Sequence, residues 1–198
     1  MDIASFKKSI KSSKIISFDL FDTLFYRPYL NPNDLFSHLE IIHNAPGFKN
    51  QRIIAEDNAR YISKYEEITL DEIYDQIQID FACIKFSEME LELDSVLINL
   101  EIKNLIEYSI SLNKKVIFIS DMYLSADFIK SLLTKHSITS IESLYISSEH
   151  RLTKHTGKLF KQIINDLNCS AKDILHIGDN KKSDLRMAQR CGLKSLHY

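Results

Sequence analysis

The sequence has few cysteines, the residues that form disulfides and many metal sites. Its three cysteines are odd in number and include no C-x-x-C pair, which argues against a disulfide framework and against a zinc site. No clean apolar run is longer than that from Val116 to Ile119, which is far too short to span a bilayer. We therefore expect free thiols in a soluble, cytoplasmic protein that makes no contact with a membrane.

An excess of charge of one sign is also lacking. The chain has 25 Lys and Arg against 27 Asp and Glu, a formal net charge of -2, and no long run of basic residues. This balance excludes a sequence-independent nucleic-acid binder and a membrane-surface protein, but it allows a small anionic ligand bound by a few local cations. The length of 198 residues accommodates one core, or a core with a smaller insertion.

Proline and glycine are scarce, so their positions are informative. Pro28 and Pro32 exclude a helix until about Asn33. Residues 33–111 then have the apolar spacing of helices almost throughout. Capping-box patterns at Thr69 to Glu72 and at Ser87 to Glu90 predict two helix starts within this stretch.

The periodicity changes on both sides of this helical stretch. Apolar runs predict five strands, at Lys14 to Leu20, Lys114 to Ser120, Leu144 to Ser147, Ile174 to Ile177 and Leu193 to His197. Single helices alternate with the later strands, which predicts an α/β fold with a Rossmann-like doubly wound parallel sheet. The expected organisation is therefore a core of residues 1–27 and 112–198 with an all-helical cap, residues 28–111, inserted between the first two strands.

Polar side chains stand where the predicted strands end. Asp19 closes the run that begins at Ile15, Ser120 closes the next, and Asp179 follows the fourth strand after Gly178. Ligands of open α/β sheets gather at the carboxyl ends of the strands, so we expect these groups to lie together. An ionised Asp19 in an apolar strand is costly without a partner, which favours a functional role.

These segments, taken together and in order, resemble the four motifs of the haloacid dehalogenase-like (HAD) hydrolases. Asp19 with Thr23 four residues later is similar to the first motif, Ser120 to the second and Lys154 to the third. The fourth motif, G-D-x-x-x-x-D, is matched by Asp179 and Asp184. A register with Asp22 as the nucleophile is rejected, because Tyr26 would then stand where the Thr belongs.

The resemblance implies a phosphatase that forms an aspartyl-phosphate on Asp19. Transfer of a phosphoryl group to a carboxylate brings two anions together, so a cation between them is required. Mg²⁺ prefers oxygen ligands of this kind. The roles implied are Asp19, Ser120 and Lys154 as catalytic residues; Ser120, Asp121, Lys154 and Arg27 as substrate-binding residues; and Asp19, Asp179, the backbone carbonyl of Phe21 and, through a water, Asp184 as magnesium ligands. Lys158 is a weaker alternative to Lys154.

One position departs from the family pattern. HAD phosphatases carry an acid–base Asp two residues after the nucleophile, where this chain has Phe21. General acid–base help is worth about 10²–10⁴ in rate. A substitute acid would be Asp121, Tyr123, a group from the cap or a hydroxyl of the substrate. Haloacid dehalogenases also have an aromatic residue here, so a dehalogenase remains an alternative, as does a binding module without turnover. The acidic pair Asp179 and Asp184 favours the metal-dependent phosphatase.

A narrower resemblance is to a HAD branch with the motifs F-D-x-F-D-T-L and S-D-M-Y-L, both present here, and with matching residues at Arg60 and at Glu72 to Tyr74. Members are often encoded with glycosyltransferases of bacterial surface polysaccharides. This implies a small phosphorylated metabolite, such as a sugar or glycan precursor, as the partner. The sequence leaves the oligomeric state open.

Two further patterns have alternative interpretations. Arg52, Glu56 and Arg60 stand at helical spacing, which favours a solvent-facing ladder of ion pairs over an arginine that grips the substrate. Among the histidines, His176 lies inside a predicted strand and is expected to be a hydrogen-bonded core imidazole. His155, beside Lys154, is the one histidine that we regard as a candidate for the site.

Overall fold

The computed structural model describes residues 3–198, which form both helices and strands. The strands are Ile15–Phe18 (β1), Phe25–Tyr26 (β2), Leu97–Ile98 (β3), Lys115–Ser120 (β4), Ser143–Ile146 (β5), Ile174–Gly178 (β6) and Lys194–His197 (β7). The α-helices are Ile3–Lys11 (α1), Asp34–Ile42 (α2), Phe48–Ile62 (α3), Leu70–Tyr74 (α4), Ile84–Ser95 (α5), Leu100–Ser111 (α6), Ala126–Lys135 (α7), Ser147–His150 (α8), Lys158–Asp166 (α9) and Ala188–Arg190 (α10). A π-helix, Lys181–Met187, leads into α10.

Five of the strands form one parallel sheet in the order β5-β4-β1-β6-β7. β1 lies at its centre, with Ile16 opposite Val116 of β4 and Leu175 of β6. The order places strands that are distant in the sequence side by side, as crossovers through helices require. The predicted α/β fold with a doubly wound parallel sheet is confirmed.

Alternate residues of the central strands face two separate apolar layers. Ile16 and Phe18 belong to the layer that contains α1, α6 and α7, whereas Ile15 belongs to the layer that contains α9. The same alternation occurs in β4, where Phe118 and Ile119 face opposite sides. Both faces of the sheet are therefore covered, which explains why its strands are continuous apolar runs.

A block of helices, α2 to α5, interrupts the core between β2 and β3. It has its own apolar clusters, one around Phe36 and Phe48 and another around Ala55 and Ile73. The chain enters and leaves the block side by side, because β2 and β3 pair antiparallel with Phe25 opposite Ile98. No helix over residues 3–198 is long and apolar enough to cross a membrane.

Helix α6 packs against α1 and against β4 of the sheet. Ile102, Leu105 and Ile106 are buried in the same cluster as Phe6 of α1 and Phe118 of β4. The domain boundaries expected for the insertion, residues 28–111, stay a prediction.

One of the two capping-box predictions is confirmed and one is wrong. Thr69 accepts a hydrogen bond from the Glu72 amide, and the Glu72 side chain accepts one from the Thr69 amide, so α4 begins as expected. Ser87, in contrast, lies inside α5, which begins at Ile84. Glu88, the residue after Ser87, is buried and paired with Arg52, which places this stretch inside the helix and not at its start.

The solvent-facing ladder predicted for α3 is wrong for Arg52, which is fully buried. Its Nε and Nη2 donate to Glu88 of α5 at 2.9 Å, and its Nη1 donates to Glu56 at 3.0 Å. The guanidinium also lies over the ring of Phe36, 4.5 Å from its centroid. Tyr74 completes the cluster by donating to Glu88 at 2.7 Å. A buried, hydrogen-bonded charge thus joins α3 to α5.

We expect Arg52→Met to lower the free energy of unfolding by about 3–5 kcal/mol, because it leaves the buried carboxylate of Glu88 without a counter-ion. Urea denaturation would measure the change. The matched control is Lys130→Met, which removes an exposed partner of Asp127 and should cost less than about 1 kcal/mol. Equal effects at the two positions would contradict the importance of the buried pair.

Candidate active site

Three polar residues from the central strands lie at one edge of the sheet. Asp19 follows β1, Ser120 ends β4 and Asp179 follows β6. The ladder continues to Asp19, whose amide donates to the carbonyl of Ile177 at 2.9 Å. Because β1 lies between β4 and β6, the parallel sheet brings these residues together.

Lys154 reaches this edge from the loop before α9. Its Nζ donates to Asp19 Oδ1 at 2.5 Å and lies 2.7 Å from Asp184 Oδ1. Burial lowers the pKa of Lys154, but the carboxylates of Asp19, Asp184 and Asp121 outweigh burial and raise this pKa above its ordinary value. The lysine is therefore a fixed, buried positive charge, with 3% of its side chain exposed.

The carboxylates of Asp19, Asp179 and Asp184 form a cluster in which one oxygen of each lies within 4.8 Å of the others. Burial raises the pKa of Asp19 to about 7 against the opposing effect of Lys154, and burial also raises the pKa of Asp179. Three carboxylates facing one ammonium leave an excess of negative charge. Oxygen donors that carry an excess of negative charge are suitable ligands for a Mg²⁺ ion.

Thr23 contacts both Asp19 and Asp179 in this cluster. Its hydroxyl lies 3.3 Å from Asp19 Oδ2 and 3.1 Å from Asp179 Oδ1, and it accepts a hydrogen bond from the Asp179 amide at 3.2 Å. The turn from β1 to Thr23 includes Asp22 in the left-handed region, with φ of 61°. Asp22 is exposed.

Asp184 is fixed from two sides. Its Oδ1 lies 3.2 Å from Nε2 of His176, and its Oδ2 accepts from the Asn180 amide at 3.0 Å. His176 is in turn hydrogen-bonded to Ser17 at 2.8 Å, which confirms the predicted core imidazole. Burial raises the pKa of Asp184. Lys154 and His176 lower it by more, so this pKa lies below its ordinary value.

Asp121 and Glu66 hold the loop that carries Lys154. The carboxylate of Asp121 accepts hydrogen bonds from the amides of Lys154, at 2.7 Å, and His155, at 3.2 Å. Glu66, from the helical block, accepts from the amide of Thr153 at 3.1 Å and lies 2.5 Å from Nζ of Lys158. Lys158, the alternative to Lys154, thus pairs with Glu66, away from the acidic cluster.

A cavity of about 320 Å³ opens on this edge of the sheet. All the residues that the sequence predicts for the site line it, namely Asp19, Phe21, Arg27, Ser120, Asp121, Lys154, Asp179 and Asp184. Asp22 and His155 line it as well. The cavity brings together these eight residues, and their individual roles, including that of the Phe21 carbonyl, stay predictions.

Arg27 lies over Phe21, the residue at which the sequence differs from the HAD phosphatase motif. Its guanidinium carbon lies 4.3 Å from the centroid of the Phe21 ring, and its Nε donates to Glu92 Oε1 at 2.7 Å. Both partners of this ion pair are largely buried, with 12% and 5% of their side chains exposed. Arg27 is therefore held in place by the helical block.

Sequence reasoning missed Glu66 and Glu92, which connect the helical block to the site. Glu92 contacts Arg27 across 65 positions and Glu66 contacts Thr153 across 87. Nothing in the local pattern around either residue differs from that of a solvent-facing helix or loop. Only the tertiary packing gives them their partners.

A family model described as HAD-hydrolase-like matches residues 152–198. The matched segment contains Lys154, Asp179 and Asp184, but it covers less than half of the chain. No curated protein sequence matches the chain.

The fold is that of HAD-like hydrolases, as three solved structures show. The HAD family enzyme bt-2542 of Bacteroides thetaiotaomicron, in complex with magnesium and inorganic phosphate, has a TM-score of 0.63 at 16% identity and covers 93% of each chain. The HAD-hydrolase YfnB of Bacillus subtilis, bound to magnesium, has a TM-score of 0.60 at 14% identity over 92% of this chain and 85% of that one. The L-2-haloacid dehalogenase of Xanthobacter autotrophicus has a TM-score of 0.62 at 13% identity over 93% of this chain and 77% of that one.

We expect Gly178→Ala to destabilise the protein by about 1–3 kcal/mol, because the added Cβ would lie 2.5 Å from Asp184 Cγ. Asp184 cannot move aside without losing contacts with Lys154 and the Asn180 amide. Thermal unfolding would measure the loss. An unchanged melting temperature would show that Asp184 is less constrained than its contacts indicate.

We expect Asp121→Asn to loosen the Lys154 loop, since an amide has one acceptor oxygen for the two backbone amides that the carboxylate serves. Hydrogen–deuterium exchange at the amides of Lys154 and His155 should become at least about fivefold faster. The control is Asp127→Asn, on an exposed helix face. Unaltered exchange in the loop would contradict the holding role of Asp121.

Proposed function

We propose that this protein is a Mg²⁺-dependent phosphatase that hydrolyses a small phosphomonoester through an aspartyl-phosphate on Asp19. The observation that supports the proposal most directly is the contact of Lys154 with both Asp19 and Asp184, in a cavity that Ser120 also lines. A buried cation, a hydroxyl and a carboxylate nucleophile are thereby gathered around a space that fits a phosphoryl group.

The residues of the chain have distinct tasks in this reaction. Asp19 attacks phosphorus through a carboxylate oxygen, and the bond from phosphorus to the leaving oxygen breaks. Ser120 and Lys154 hold the non-bridging oxygens. Water then attacks the phosphorus of the phosphorylated Asp19, which releases inorganic phosphate and restores the carboxylate. A magnesium ion bound by Asp19 and Asp179, with Asp184 beside them, would offset the repulsion between substrate and nucleophile.

Phe21 has no acidic group that could protonate the leaving oxygen. Of the substitutes considered, Asp121 already accepts two backbone amides, and Tyr123 does not line the catalytic cavity. We propose that the proton comes from water or from a hydroxyl of the substrate itself. Such an enzyme is expected to turn over slowly, since general acid catalysis is typically worth about 10²–10⁴ in rate.

The proposed substrate is a small phosphorylated metabolite, and the sequence resemblance to the polysaccharide-associated branch favours a phosphorylated sugar or glycan precursor. A second candidate function is that of a C–X hydrolase of the dehalogenase type. The aromatic residue at Phe21 favours this candidate. The cluster of Asp19, Asp179 and Asp184 favours the phosphatase, because displacement of a halide needs no metal.

We expect the purified protein to release phosphate from p-nitrophenyl phosphate in the presence of Mg²⁺, and EDTA to abolish the release. Asp19→Asn should reduce the rate by at least about 1,000-fold, because the amide is no longer a nucleophile. Asp127→Asn, the same change on an exposed helix face, should leave the rate and the melting temperature unaltered. Phosphate and halide assays on the same preparation would provide the measurement.

The alternatives predict other results. A dehalogenase would release chloride from 2-chloropropionate without Mg²⁺ and depend on the same Asp19. A binding module would release neither product. Retention of full phosphatase activity by Asp19→Asn would refute the proposed nucleophile.

A further inference from the structure

A second cavity, of about 230 Å³, adjoins the catalytic one. The two share Arg27, Asp121 and Met122 as lining residues, so they meet at these three side chains. The catalytic cavity holds the groups proposed to bind the phosphoryl group. The adjoining one is therefore the space available to the leaving group, and we name it the leaving-group chamber.

Both guanidinium groups of the leaving-group chamber are already engaged by carboxylates. Arg27 donates to Glu92 at 2.7 Å. Arg60 donates to Glu67 at 2.7 Å and to Glu56 at 3.0 Å. Among the described residues that line the chamber, none offers a cation without a carboxylate partner.

The charges on the chamber wall are therefore unbalanced. Four carboxylates line it, Glu56, Glu67, Glu92 and Asp121, against the two guanidinium groups. Arg52 lies behind the wall, but it is committed to Glu88 and Glu56. A second anionic group on the substrate would meet like charges here, whereas a cationic group would be attracted.

Glu92 is the carboxylate with capacity left for a ligand. Only 5% of its side chain is exposed, and its Oε1 accepts from Arg27. Within residues 3–198 its Oε2 receives no hydrogen bond, unlike the side chain of Glu67, which is bonded at both oxygens. Burial raises the pKa of Glu92, and the nearby charges of Glu88 and Asp22 add to this effect beyond what Arg27 offsets. A hydrogen-bond donor with a positive charge would satisfy this group.

We propose that Glu92 determines specificity by accepting a hydrogen bond from a protonated amine on the leaving group, and that the leaving-group chamber excludes leaving groups with a second negative charge. The substrate class is thus a small phosphomonoester of an amino alcohol or amino sugar. This inference rests on the proposed function, because it assigns the chamber to the leaving group.

Three phosphomonoesters of equal length test the charge preference: 2-aminoethyl phosphate, 2-hydroxyethyl phosphate and phosphoglycolate. Calorimetry with the Asp19→Asn variant and Mg²⁺ gives their affinities without turnover. We expect the amine to bind at least about tenfold tighter than the alcohol, and the carboxylate to bind weakest, because charge-assisted hydrogen bonds are the stronger ones. With the protein that retains Asp19, kcat/KM should follow the same order.

The role of Glu92 is tested by the ratio of the affinity for 2-aminoethyl phosphate to the affinity for 2-hydroxyethyl phosphate. Glu92→Gln should bring this ratio close to one, whereas Glu90→Gln, on the exposed face of the same helix, should leave it unchanged. Melting temperatures check that both variants fold. If Glu92→Gln does not fold, Glu56→Gln, on the same chamber wall, should reduce the discrimination against phosphoglycolate.

The outcomes separate this inference from the proposed function. Hydrolysis of p-nitrophenyl phosphate together with equal affinity for the three esters, or with a preference for phosphoglycolate, would overturn the inference and leave the phosphatase intact. The expected order of affinities without any release of phosphate would support the chamber and refute the phosphatase. If Glu92→Gln leaves the ratio of the two affinities unchanged, Glu92 does not determine the specificity.

Discussion

The arrangement of the site depends on one buried ammonium group. Lys154 lies between Asp19 and Asp184, and three carboxylates in so small a volume would repel one another without it. The energetic consequence extends beyond the site. Asp184 is fixed by His176 and by the Asn180 amide, and Lys154 is fixed by the loop that Asp121 holds. The sheet edge, the π-helix and the loop before α9 are therefore joined through a single positive charge.

The helical block is also part of this electrostatic arrangement. Glu66 binds the loop that carries Lys154, and Glu67 accepts from Ser147, whose hydroxyl accepts from the amide of Met122 beside Asp121. Arg151 donates to Glu72 at 2.5 Å and to the carbonyl of Glu67 at 3.2 Å. The geometry around Asp19 thus includes polar groups from both parts of the chain, and not only from the sheet.

Much of the fold follows from the sequence, because the strands of a sheet covered on both faces are runs of apolar residues with polar ends. The run from Ile15 to Asp19 and its counterparts locate the strands and the residues at their ends. The contacts that the sequence did not provide are those made across many positions. Arg52 and Glu88 are 36 positions apart, and each alone looks like a residue of a solvated helix face. The same holds for Glu92. Periodicity likewise shows that α6 has an apolar face but not which elements that face contacts.

The pairing of β2 with β3 has a consequence for how this architecture can vary. Because the chain leaves the core at Tyr26 and returns at Leu97 in adjacent positions, the distance between the two ends of the inserted segment is independent of its length. The number of residues separating Asp19 from Ser120 is thus unconstrained by the sheet, whereas the spacing of Asp179 and Asp184 is set by one turn after β6. Exchange of the whole insert for another of different size would leave the register of the sheet intact. It would also replace Glu66, Glu67 and Glu92 together, and with them their contacts to the Lys154 loop, to Ser147 and to Arg27.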